Sequence, residues 1–133
     1  MGGPSTLQGP VASEIQLSDM VHRGLPTGVL AALEAGDVLT REELLQLIFS
    51  KATLSRRLRE PRLSEVESDK IVRLSRIVAS AIDVFGDAPD AHEWLREANP
   101  ALDGRTPLEM ATTDPGARLV ETLLKRLDYG DYT

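Results

Sequence analysis

Five cations, Lys51, Arg56, Arg57, Arg59 and Arg62, stand against the single acid Glu60 between positions 51 and 62. That stretch is strongly basic in a chain of 133 residues whose formal net charge is −6. The chemistry open to such a cluster is electrostatic. Guanidinium and ammonium groups hold phosphates, and a guanidinium fork also matches a guanine edge. Bulk charge argues against a nucleic-acid partner, so any footprint must be local, felt over a Debye length of about 8–10 Å.

The other chemically suggestive groups carry less. Asp90, His92 and Glu93 are too close in sequence to share one helical face, and no second pair of ligands supports a metal there. His22 and His92 are the only histidines and there is no cysteine, which excludes disulfides and thiolate metal sites and fits a reducing compartment. No glycine-rich phosphate loop is present, and Ser13, Ser18 and Ser50 sit in no nucleophile-elbow pattern. The acids Glu42, Glu43, Glu65 and Glu67 belong to helix starts, where the dipole favours them. The expectation is a protein with no catalytic constellation, no cofactor and no metal, and therefore not an enzyme. One more feature stands out: both tyrosines of the chain, Tyr129 and Tyr132, fall in its last six residues. A solvated tail has no use for ring area, whereas an interface anchor does; the alternative is that both rings fold back on the chain's own core.

The elements that must position these groups read as helices throughout. Residues 1–24 form a tail, rich in Gly, Pro and Ser up to Ser13 and expected to be disordered. A first helix spans about Pro26 to Ala35, stopped by Gly36. Thr40 with Glu43 is a capping box that opens a second helix bearing Leu44, Leu45, Leu47 and Ile48. After a break at Ser50-Lys51 a third runs from about Ala52 to Arg59, ended by Pro61. Ser64 with Glu67 is another capping box. It opens the longest helix, with Ile71, Leu74, Ile77, Val78, Ala81, Ile82 and Phe85 at three- and four-residue steps, closed by Gly86. Pro89 starts a shorter helix carrying Trp94, a core anchor, and Asn99-Pro100 ends it. Thr106-Pro107-Leu108-Glu109 is a third capping box with proline at the first helical position. Asp114-Pro115 starts the final helix, which runs to about Asp128, buries Leu119, Val120, Leu123, Leu124 and Leu127, and is stopped by Gly130. Strand-like alternation is absent and aromatics are only 4%. The fold is read as all-α, with a core of Leu, Ile, Val and Ala. No apolar run approaches the roughly 20 residues of a membrane span, nor is there a secretory signal, so cytoplasmic residence without membrane contact is expected.

The second and third helices have the length and spacing of a helix-turn-helix. In that unit the second helix enters the major groove with its N-terminal residues towards base edges. Those residues are Lys51, Thr53 and Ser55, with Arg56, Arg57 and Arg59 available for guanine edges or phosphates; the alternative is a solvated helix whose arginines pair with neighbouring acids such as Glu60 and Glu65. Leu54 and Leu58, four apart, would pack the helix down.

Two stretches carry a family resemblance: T-L-S-R-R-L at 53–58 followed by L-S-x-x-E-S-D-K-I-V-R-L at 63–74, and W-L…N-P…L-x-G-R-T-P-L from Trp94 to Leu108. Together with the succession of helix starts over the last forty residues, they resemble antitoxins of the Xre/MbcA/ParS type, over roughly residues 25–133. The resemblance implies an N-terminal Xre-like helix-turn-helix region (25–85) followed by a small helical toxin-binding domain and tail (86–133). It also implies a RES-domain toxin that acts on NAD as protein partner. In that family the last helix and the residues after it approach the toxin's NAD pocket and block it. The matching positions are Lys125, Arg126, Leu127, Asp128, Tyr129, Gly130, Asp131, Tyr132 and Thr133. Operator DNA of the chain's own genes is the second expected partner, and a homodimer or larger assembly the expected state. The alternatives are a plain dimeric DNA-binding transcriptional regulator without a toxin partner, and a helical adaptor that binds neither.

Overall fold

A computed structural model describes residues 9–128 and 130. Among them run helices α1 (Gly9–Arg23), α2 (Val29–Ala35), α3 (Arg41–Leu47), α4 (Lys51–Arg57), α5 (Glu65–Phe85), α6 (Ala88–Leu95), α7 (Pro107–Met110) and α8 (Asp114–Asp128), with a 3-10 turn at Pro100–Leu102. No strand occurs among the described residues, only the isolated bridges Pro26–Arg62 and Asn99–Arg105. The all-α reading is confirmed.

All three capping boxes form as the sequence dictates. The Thr40, Ser64 and Thr106 hydroxyls each accept from the backbone amide three residues on, at 3.1 Å. Glu43, Glu67 and Glu109 return the bond to the cap amides. Gly86 ends α5 in the left-handed conformation at φ 72°. Helix α8 begins one residue away from expectation, because the Thr113 hydroxyl, rather than the Asp114 carboxylate, caps it, accepting from the Gly116 amide.

The buried residues form one apolar cluster. Leu30, Leu33, Leu39, Leu44, Phe49, Leu54 and Leu63 enter it from the first half, and Leu95, Leu102, Leu108, Ala117, Val120 and Leu124 from the second. Between them lies the stripe of α5, with Ile71, Leu74, Ile77, Val78 and Ala81 buried. Helix α5 is therefore the shared beam of both halves. Trp94 is half-buried against Phe85, the ring centroids 5.8 Å apart.

Three expectations are corrected. First, the presumed tail is helical over Gly9–Arg23; residues 1–8 lie outside the described residues. The apolar period of α1 is weak because few of its residues are buried. It is held by pairing with α5, Glu14 with Arg76 and His22 with Glu65, and by half-buried Leu17 and Val21. Gly24 then turns the chain at φ 89° with its α-carbon against the Leu63 carbonyl, a place no side chain fits. Second, Leu58 is exposed rather than packed, since α4 stops at Arg57 and only Leu54 faces the core. Third, Leu119 is 40% exposed, while Leu123 and Leu127 are half-buried. These three lie four residues apart along one edge of α8, beside the face that Ala117, Val120 and Leu124 bury on the body.

Candidate functional site

Helices α3 and α4 are joined by Ile48, Phe49 and Ser50, and this turn is built without glycine because none of its residues takes a positive φ. Phe49 is its hinge pin: the side chain is buried while its amide donates to the Leu44 carbonyl at 2.9 Å. Ser50 caps α4, accepting from the Thr53 amide at 3.1 Å. Leu54 is then the one residue of α4 that is fully buried.

This seating fixes where the six residues expected to meet DNA go. Lys51, Ser55, Arg56 and Arg59 are exposed. Thr53 is half-buried, its hydroxyl accepting from Ser50 at 2.9 Å. Arg57 is turned inward. Its Nε donates to Glu67 Oε1 at 2.7 Å and its Nη1 to Glu60 Oε1 at 2.8 Å. The two carboxylates raise the Arg57 pKa further, the Glu67 hydrogen bond contributing most. The expectation that Arg57 presents its guanidinium to a partner is therefore revised. It ties the end of α4 to the capping box of α5.

A second pairing of the same design was not foreseen. Arg96, at the end of α6, forks onto Glu43, Nε to Oε2 at 2.6 Å and Nη2 to Oε1 at 2.8 Å. Its Nη2 also reaches the Val38 carbonyl at 3.3 Å, and its Nη1 lies 2.8 Å from His92 Nδ1. Two N3 glutamates of capping boxes thus double as acceptors for arginines of other helices. The N3 position was legible in the sequence, whereas the arginine that would find it was not. With a guanidinium at its Nδ1, His92 is poorly placed as a metal ligand, and no group of three or more potential metal ligands occurs among the described residues.

These pairings make stability depend on acid. Burial works to raise the pKa of both Glu43 and Glu67, but the hydrogen bonds from Arg96 and Thr40 to one, and from Arg57 and Ser64 to the other, hold both lowered. A carboxyl whose pKa is lowered by folding stabilises the fold above its unfolded pKa of about 4.3, and that stabilisation is lost as pH falls through the folded value. Glu67→Gln is accordingly expected to melt below the parent at pH 7, with the gap closing as the pH is taken below about 4. Arg96→Ala is expected to cost about 1–3 kcal/mol at pH 7, because it leaves the partly buried Glu43 without its fork. Thermal melts across pH check both.

In the second half, Lys125, Arg126 and Asp128 are exposed on the last turns of α8 and Leu127 is half-buried on its open apolar edge. Gly130 has φ 78°, the left-handed stop expected of it. Tyr129, Asp131, Tyr132 and Thr133 lie outside the described residues. No helix among the described residues is long and apolar enough to cross a membrane.

The same two-part order appears in comparison with known proteins. Residues 16–76 match the antitoxin Xre-like helix-turn-helix domain, and residues 80–130 match the antitoxin Xre/MbcA/ParS C-terminal toxin-binding domain. The first match begins within α1, and the division between the two falls inside α5. The chain is 33% identical over 120 residues to antitoxin Xre of Pseudomonas putida, covering 90% of this chain and 76% of that protein. Antitoxin Xre of Yersinia enterocolitica is 28% identical over 127 residues, covering 93% and 86%. Antitoxin Xre of Photorhabdus laumondii is 27% identical over 124 residues, covering 91% and 84%. A glycine-free helix-turn-helix and a small helical domain built on one shared beam, each matched in order, place this chain in the Xre/MbcA/ParS family of antitoxins.

Proposed function

We propose that this chain neutralises a RES-domain toxin by occluding its NAD site, and that it represses its own genes by binding their operator as a dimer or larger assembly. The observation that carries the first part is the open apolar edge of α8. Leu119 is exposed, and Leu123 and Leu127 are only half-buried, within the segment that matches a toxin-binding domain. A leucine row left partly open on an otherwise charged helix marks a surface that a partner completes. In the sequence the row is followed by the only two tyrosines of the chain, Tyr129 and Tyr132. Lys125 and Arg126, exposed beside it, steer α8 onto acidic groups of the partner. The RES identity of the toxin rests on the resemblance carried by Trp94 to Leu108. Co-expression with the protein encoded by the adjacent gene tests the pairing. One stable complex on size exclusion, containing that protein, is the expected result. A chain that elutes alone as a dimer with the leucine row buried between copies would replace this reading with that of a regulator without a toxin.

The operator part rests on the exposure of Lys51, Ser55, Arg56 and Arg59 around α4. Arg56→Ala is expected to weaken operator binding by about 1–3 kcal/mol if the guanidinium reads a base. Lys51→Ala is expected to make the salt dependence shallower by about 0.9 in log K against log salt if the ammonium meets a phosphate. Neither change should alter toxin neutralisation, since α4 and α8 lie in different halves of the molecule. Titrations of operator duplex at several salt concentrations check this. Arg57→Lys, in contrast, is expected to lower the melting temperature through the lost two-carboxylate tie.

A further inference from the structure

We infer that the DNA-contacting surface does not end with α4 but continues as a phosphate-binding strip through Arg59 and Arg62 to Arg23 at the end of α1. This rests on the operator-binding reading above. Arg23 and Arg62 are far apart in sequence, and the fold brings them together. The chain at 24–27 runs antiparallel to that at 60–63. The Leu63 amide donates to the Leu25 carbonyl at 2.9 Å, and the Thr27 amide to the Pro61 carbonyl at 3.1 Å. Arg62 Nη1 donates to the Gly24 carbonyl at 2.9 Å. His22, on the other side of Arg23, pairs with Glu65 at 2.8 Å. Arg23 is therefore held beside Arg62 by backbone on one side and by the His22–Glu65 contact on the other.

The acids beside α4 are engaged by other residues. Glu60 and Glu67 both hold Arg57, and Glu65 lies 2.8 Å from His22. Arg23, Arg56, Arg59 and Arg62 are all exposed, and none has a carboxylate partner among the described residues. Elsewhere, Arg41, Arg73, Arg76, Arg96 and Arg118 each have one, while Arg105 and Arg126, in the second half of the chain, have none among the described residues. A guanidinium already paired must give up its partner to bind a phosphate, whereas these four need not. The pairing of Arg57, which turns it away from the DNA-contacting set, also offsets one of the two negative charges of Glu60 and Glu67. Four arginines running from the recognition helix to a neighbouring helix end fit a row of phosphates. Such contacts fix register and orientation and carry no sequence information.

The test uses the full chain with two duplexes of equal length, one carrying the DNA immediately upstream of its gene and one of scrambled sequence, titrated over a range of salt. Arg23→Ala is expected to make the slope of log K against log salt shallower by about 0.9, and the double variant with Arg62→Ala by about 1.8. Both duplexes should weaken by the same factor, on the order of tenfold for the pair, because phosphate contacts do not discriminate. Arg118→Ala, on α8, should leave the slope at the parent value. Since Arg62 also holds the Gly24 carbonyl, Arg23→Ala alone decides the matter if the double variant unfolds. A parent that binds with an unchanged slope in Arg23→Ala overturns the strip and leaves the operator reading standing. A loss confined to the upstream duplex overturns it too, since Arg23 would then be reading sequence. A parent that binds neither duplex overturns the operator reading and the strip with it.

Discussion

A chain ending at Leu127 is expected to fold and to bind its toxin, but to lose inhibition by on the order of 100-fold or more, the loss that attends removal of buried aromatic anchors worth 2 kcal/mol or more each. Folding should survive because the last fully buried residue of α8 is Leu124. Binding should survive in part because Leu119, Leu123 and the charges at Lys125 and Arg126 all precede the cut. What the cut removes is Asp128 to Thr133, including Tyr129 and Tyr132. Their rings suit a pocket shaped for a nucleotide base or nicotinamide, and Asp131 suits basic groups that otherwise hold phosphates. The check is NAD consumption by the purified toxin with each chain added, alongside rescue of growth when the toxin is expressed. Equal inhibition by the shortened chain would move the block from the last six residues to the body of the domain.

The second large effect is expected at Gly116. A β-carbon there would lie 1.8 Å from the Met110 carbonyl oxygen and 2.9 Å from its carbon, both backbone atoms that cannot rotate away. Thr113, whose hydroxyl caps α8 at this same residue, would be only 3.0 Å away. The sole relief is to lift the start of α8 off α7, which removes Ala117 and Val120 from the core. Gly116→Ala is therefore expected to cost about 3 kcal/mol or more, beyond the usual overpacking penalty, and to lower the melting temperature by about 10 °C. Toxin binding should fall with it, since α8 carries the leucine row, while α4 keeps its own seat on Leu54. A variant that melts like the parent would show that the α7–α8 turn yields more easily than its backbone geometry implies.

What the sequence made legible were signals that act within one or two turns. The three capping boxes, the stop at Gly86 and the stripe of α5 each depend on residues three or four apart, and each forms where it was read. The family followed from the same local signals taken in order. What could not be read depends on partners far along the chain. Helix α1 shows little apolar period because its hold on α5 comes from Glu14 with Arg76 and His22 with Glu65. Arg57 looks like its neighbours in a basic run, and only the approach of Glu67 from α5 separates it from them. The Arg96 fork onto Glu43 joins residues 53 positions apart. Leu119 has the same residue type as the buried Leu124, and its place around α8, beside the face that Val120 and Leu124 bury, leaves it open. The surfaces facing outward at α4 and α8 were thus visible as patterns, but which of their residues are free and which are committed was decided by tertiary contacts.

The most direct test of the account is a titration of the toxin encoded beside this gene with the full chain, following NAD consumption at low and high NAD. Occlusion of the NAD site predicts that activity falls to zero at a fixed ratio of chain to toxin, and that raising NAD shifts the inhibition curve to higher chain concentrations. Full toxin activity in excess chain would contradict the account.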